Sequence, residues 1–150
     1  MEEELDALDE AGIHWTIVPG LTSASAAAAE IGQGLTARDR NGALTLITGH
    51  DVKGFADQDW RALARPGAVA AIYMGKRAAR FLQGRLMMHG GHPDTPVTLV
   101  ENASRPDQKV HRATLATLPA IAALCQGPAM MLWGLKPRSA LSRLPNIMEA

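Results

Sequence analysis

Val18-Pro19-Gly20-Leu21-Thr22-Ser23-Ala24-Ser25, running on through the alanines at 26–29, is the stretch whose reading decides the fold. Ile13, Trp15, Ile17 and Val18 ahead of it are β-formers. Pro19-Gly20 breaks the strand they predict. Thr22 or Ser23 is placed to N-cap the helix predicted over Ser23–Ile31, which is built mostly of alanine and ends at Gly32 and Gly34. The expectation is the end of a buried strand, a tight turn and a helix start. A helix opening just past a strand's C-terminal end is where α/β proteins place ligands. An ordinary strand-to-helix turn has the same local pattern, so this stretch alone leaves function open.

Upstream, residues 2–11 read as a helix with acids crowding its first turn, Leu5 and Leu8 on one face, and Gly12 as the stop. A helix and strand with no strand before them is an odd start for an α/β domain, whose helices normally cross over from an earlier parallel strand. The expectation is a piece of something larger. Downstream, strands are predicted over Ala43–Thr48, Ala68–Tyr73, Thr95–Val100, Gln108–Thr114 and Pro128–Leu132, the third and fourth as a hairpin. Helices are predicted over Gln58–Ala64, Lys76–His89 and from a Thr117 cap to Cys125. Ala78, Phe81, Leu82 and Leu86 mark the inward stripe of the longest. Residues 35–42 and 51–57 read as loops, and 136–150 as a tail or short docking helix. The fold class is therefore α/β, a mixed sheet of about five strands flanked by helices.

With 150 residues the chain suits one domain with a sizeable core. Fifteen basic and 15 acidic residues leave no net charge, hence no electrostatic footprint for nucleic acid or an anionic membrane. No apolar run is long enough to span a bilayer, and the acidic start lacks a signal-peptide layout. A cytoplasmic location is the expectation. Cys125 has no second cysteine to pair with, and at helical spacing with Leu118, Ile121 and Ala122 it reads as a core thiol. No metal site is expected: His89 and His92 lack the partners of a zinc site and read as a solvated loop. A hydrolase elbow, a P-loop and a dinucleotide fingerprint are all missing from the sequence. What remains is a set of strand-end loops: 19–23, 48–50, 74–75, 101–104 and 127–129. Their small residues let backbone approach a ligand closely.

Those loops also carry a resemblance. Trp15-Thr16-Ile17-Val18-Pro19-Gly20-Leu21-Thr22-Ser23-Ala24 resembles a segment of uroporphyrinogen-III C-methyltransferases, of the tetrapyrrole methylase family. Leu35-Thr36-Ala37-Arg38-Asp39, Thr48-Gly49-His50, Ile72-Tyr73-Met74-Gly75, Thr95-Pro96-Val97 and Glu101-Asn102-Ala103-Ser104 follow in the family's order. Gly54-Phe55-Ala56-Asp57 and the last of these resemble the methylase module of a siroheme synthase. The resemblance spans roughly residues 2–135 and matches the C-terminal portion of such an enzyme.

It implies that residues 1–21 are a remnant of an N-terminal domain with its linker, 22–135 a C-terminal methylase domain, and 136–150 a tail. It implies S-adenosyl-methionine as methyl donor, S-adenosyl-homocysteine as product, and conversion of uroporphyrinogen III to precorrin-2 by methylation at C2 and C7. Carried over by position, the donor would be held by Thr22, Ser23, Met74 and Ala103, with Pro128 and Ala129 on the adenine side. Ser23 stands for a common Ala and Ala103 for a common Gly. Arg38 is the candidate for a carboxylate of the tetrapyrrole substrate, while Ala37 replaces the family's usual His. The family's catalytic acid and lysine lie in the half that this chain does not match, so no catalytic residue is assigned. A homodimer is the expected assembly. Two other readings stand beside this one: a non-catalytic fragment that self-associates through an exposed apolar face, and a sister methyltransferase acting on a later precorrin.

Overall fold

Near-continuous apolar runs make strands that are buried on both faces, each face needing a cover. The computed structural model, which describes residues 2–50, 54–55 and 57–138, has five strands, and the three central ones answer to this pattern. The five are β1 (Thr45–Thr48), β2 (Ala70–Tyr73), β3 (Pro96–Glu101), β4 (Lys109–Thr114) and β5 (Ala129–Trp133). They form one sheet in the order β1-β2-β5-β3-β4. β1 and β2 run parallel, and β5 lies antiparallel between β2 and β3. The predicted hairpin forms, with Glu101 opposite Lys109.

The helices are α1 (Glu2–Glu10), α2 (Ser23–Glu30), α3 (Trp60–Leu63), α4 (Gly75–Met88) and α5 (Leu118–Ala122). Ala70, Ile72, Leu99, Met131 and Trp133 point to the face covered by α3, α4 and α5. Ala78, Leu82 and Leu86 of α4 are buried there, as its spacing predicts, and Phe81 is partly buried against them. Phe81 stacks on Phe55 with ring centroids 4.7 Å apart and meets Trp60 edge-on at 5.6 Å. The opposite face carries Val69, Ala71, Val100, Met130 and Leu132, covered by Ala24, Ala27 and Ile31 of the α2 region. Alanine lets this cover sit close to the sheet.

The strand expected over Ile13–Val18 does not form. Among the described residues this segment pairs with no other strand, and Val18 is 83% exposed. Backbone N–H and C=O groups need a neighbouring strand to make a sheet, and local β-propensity supplies none. α1 buries no residue either, while Gly12 ends it in the left-handed region at φ 66° and Trp15 Nε1 folds back to donate to Asp9. Smaller differences have local causes. α3 is shorter than predicted because Asp59 caps it, accepting from the Ala62 N–H at 2.9 Å. Thr117 precedes α5, but its hydroxyl oxygen accepts from the Thr114 N–H instead of capping the helix. Pro137 is buried, and Arg138 donates from its backbone to Ile31. The tail or docking helix expected beyond that point, and most of the 51–57 loop, lie outside the described residues. Among the described residues no helix is long and apolar enough to cross a membrane.

Candidate functional site

Pairing directions bring the C-terminal ends of β1, β2 and β3 to the same edge of the sheet as the N-terminal end of β5. That edge collects the strand-end loops singled out from the sequence. Thr22 lies beside it as the N-cap of α2, its hydroxyl oxygen accepting from the Ser25 N–H at 3.2 Å. The non-glycine residues with positive φ among those described are Met74 (52°), Asn102 (50°) and Ser104 (65°), all in these loops. Each such conformation costs roughly 1–3 kcal/mol and persists where the surroundings demand it, which is commonly a functional site.

A cavity of about 320 Å³ opens at this edge. Ser23, Met74, Ala103, Pro128 and Ala129 line it, so the fold gathers five of the positions chosen from the sequence around one space. Thr22 does not line it; it caps the helix whose first residue is Ser23. Tyr73, Val100, Asn102, Arg105 and Met130 complete the wall. Asn102 and Arg105 were missed as individuals, although Asn102 sits in the named 101–104 loop and Arg105 directly follows it. The signal for Asn102 is its type, because Asn tolerates the left-handed turn that leaves β3. Its Nδ2 donates to Asp107 at 2.6 Å, while its buried Oδ1 has no hydrogen-bond partner.

A second cavity of about 330 Å³ adjoins the first, sharing Met74, Pro128 and Ala129. His50, Lys76 and Arg77 complete its lining. Arg38 lines neither cavity: it sits exposed in the turn closed by the Ala37–Asn41 bridge. Its neighbour Arg40 holds that turn together, donating to Gln33, Gly34 and Asn41.

Glu101, one residue before Asn102, holds a buried hydrogen-bond network that the sequence did not single out. Glu101 is 2% exposed. One of its oxygens accepts from the backbone N–H groups of Gln126 and Gly127, and the other lies 2.9 Å from His111 Nε2. The bond from Gly127, then that from His111, hold its carboxyl down at about 2, against the opposing effect of burial. Burial, reinforced by the Glu101 charge, pushes the Cys125 thiol up. Cys125 is buried, as expected of a core thiol. Its sulfur, Glu101 and His111 offer ligand atoms within 4.8 Å of one another. Both Glu101 oxygens are already engaged with protein donors, so the carboxylate serves as an anchor for the loop.

Comparison with known proteins gives the family of the chain. The profile described as Tetrapyrrole (Corrin/Porphyrin) Methylases matches residues 1–119. The chain belongs to the tetrapyrrole methylase family. A siroheme synthase of Gluconacetobacter diazotrophicus is 45% identical over 135 residues, covering 88% of this chain and 29% of that protein. One from Edwardsiella ictaluri is 41% identical over 140 residues, covering 91% of this chain and 30% of its own length. Among solved structures, the uroporphyrin-III C-methyl transferase of Thermus thermophilus complexed with S-adenyl homocysteine is 27% identical with a TM-score of 0.71. That match covers 89% of this chain and 58% of the other. A cobalt precorrin-4 methyltransferase from cobalamin biosynthesis matches with a TM-score of 0.76 at 27% identity, covering 89% of this chain and 57% of that one. The chain thus spans under a third of the curated relatives it matches and somewhat over half of the solved methyltransferases.

Proposed function

We propose that this chain is the donor-binding portion of an S-adenosyl-methionine-dependent uroporphyrinogen-III C-methyltransferase, which forms precorrin-2 by methylation at C2 and C7. The observation that carries the proposal is the cavity lined by Ser23, Met74, Ala103, Pro128 and Ala129 in a chain of this family. Its residues suit the donor. Ala103 and Ala129 leave the backbone accessible, and Met74 gives an apolar surface. When bound, S-adenosyl-methionine supplies an electrophilic methyl group on a sulfonium. The chain's own contribution is to hold adenine and ribose against the Pro128–Ala129 and Asn102–Ala103 walls and to keep water from that side. Orientation of this kind lowers a barrier without a catalytic group.

The adjoining cavity, with Met74 at the shared wall, then faces the tetrapyrrole. Arg77 and His50 at its lining are better placed than Arg38 to meet a substrate carboxylate. In this reading residues 22–135 form the donor-binding domain and 1–21 belong with the rest of the enzyme. The exposure of Ile13, Trp15, Ile17, Val18 and Leu21 supports that division, since such side chains normally find a cover. The same exposure is compatible with self-association, and a homodimer is proposed on that ground.

Calorimetric titration with S-adenosyl-homocysteine tests the reading. Binding by the chain, weakened at least tenfold in Met74→Asp, is the expected result, because the apolar contact with the donor would be replaced by a carboxylate that must lose its water on binding. Equal affinity of the two proteins would remove Met74 from the site. A later-precorrin methyltransferase is the second reading, favoured by the TM-score of 0.76 to the cobalt precorrin-4 enzyme. Product mass after incubation with the full-length enzyme and uroporphyrinogen III separates the two.

A further inference from the structure

The loop Cys125-Gln126-Gly127, between α5 and β5, has no regular structure of its own and leads directly into Pro128 at the cavity. Opposite charges grip it from two sides. The Glu101 carboxylate accepts from the N–H groups of Gln126, at 2.6 Å, and Gly127. The Lys76 ammonium donates to the carbonyl oxygens of Cys125, Gln126 and Gly127 at 3.3, 3.1 and 2.9 Å. His111 Nε2, 2.9 Å from the second Glu101 oxygen, holds the carboxylate in orientation. Hydrogen bonds to ionised groups are roughly twice as strong as neutral ones, and consecutive peptide groups of this loop are bonded in that way.

Position in the chain adds the functional link. Lys76 lies two residues after Met74, Glu101 immediately precedes Asn102, and Gly127 immediately precedes Pro128. The network therefore ties together three of the segments that line the first cavity, those carrying Met74, Asn102–Ala103 and Pro128–Ala129. We infer that Glu101 and Lys76 are positioning residues of the donor site: they clamp the 125–127 loop from its N–H and C=O sides and so set Pro128 and Ala129 against the cavity. The identity of the ligand rests on the function proposed above, whereas the clamp itself does not.

Glu101→Gln, Lys76→Met and the double variant test this in the chain as it stands, with Lys76→Arg as the conservative replacement. Affinity for S-adenosyl-homocysteine, by calorimetry, is expected to fall on the order of ten- to a hundredfold in each single variant. The double variant should lose little more than the worse single, since both act through one loop. Lys76→Arg should recover part of the loss. Amide hydrogen exchange followed by NMR gives the second readout. Gln126 and Gly127 should exchange faster in both single variants while amides in the centres of β3 and β5 keep their rates. Unchanged protection of the two loop amides in either single variant would overturn the clamp. So would losses of affinity that multiply in the double variant, which would indicate separate defects. If the unmodified chain binds no S-adenosyl-homocysteine, the proposed function fails, and exchange at Gln126 and Gly127 alone decides whether the clamp stands.

Discussion

Gly49→Ala probes how closely the strand end and the helix behind it approach at the site. Gly49 is buried after β1, and its N–H donates to the Tyr73 carbonyl at 2.7 Å. An added Cβ would lie 3.0 Å from the Gly75 Cα, 3.1 Å from the Ala78 Cβ and 3.3 Å from the Met74 carbonyl oxygen. Carbon atoms prefer about 3.5–4.0 Å, so the first turn of α4 must retreat. Overpacking of this kind costs about 1–3 kcal/mol, partly offset by roughly 0.4–1 kcal/mol from the stiffer unfolded chain. The net loss of ~1–2 kcal/mol corresponds to a fall of roughly 2–8 °C in the thermal midpoint for a chain of this size. Gly84→Ala is the internal comparison. Gly84 lies exposed within α4, and a Cβ there would meet nothing within 4 Å. That change should stabilise by roughly 0.5–1 kcal/mol through helix propensity. Thermal and urea unfolding followed by circular dichroism should give opposite signs for the two variants. Because Met74 and Gly75 are what the new methyl pushes, Gly49→Ala should also weaken S-adenosyl-homocysteine binding, and Gly84→Ala should leave it alone. Equal stability of the two variants would refute the close approach on which the geometry of this edge depends.

Other perturbations follow from the same structure. Thr22→Ala removes the cap of α2 and should cost about 1 kcal/mol in urea unfolding. Trp133→Phe leaves the Leu63 carbonyl without the indole N–H it now meets at 2.9 Å and opens space in the core; a loss of roughly 2–3 kcal/mol is expected by the same measurement. Glu101 sets an acid limit. Its carboxyl ionises at about 2 in the folded chain, against an ordinary 4.5, so its contribution is complete above the ordinary value and disappears as pH falls towards the folded one. The difference in urea midpoint between the native chain and Glu101→Gln should accordingly shrink through that window; a gap that stays constant across it would contradict the assignment.

Much of the fold could be read from local chemistry. The stripe of Ala78, Leu82 and Leu86, the Thr22 cap, the Gly12 stop and the hairpin of β3 and β4 all depend on contacts within a turn or between chain neighbours. The strand-end loops were legible for the same reason, and the resemblance singled out the positions within them that now line one cavity. Ile13–Val18 departs from its own propensity because a strand is defined by its partner, and among the described residues it has none.

The sequence by itself determined the period of α4, the Thr22 cap, the Gly12 stop, and the apolar runs that became the buried strands β2, β3 and β5. These follow from backbone sterics and from the spacing of apolar side chains, which are properties of short windows. Only the tertiary structure decided that β5 inserts antiparallel between β2 and β3, which brings Pro128–Ala129 beside Met74 and Ala103. It alone joined Lys76 to carbonyls some fifty positions away and Glu101 to amides about 25 positions away. Such pairings carry no period that a window can register. They arise where buried charges must find partners once the sheet has closed.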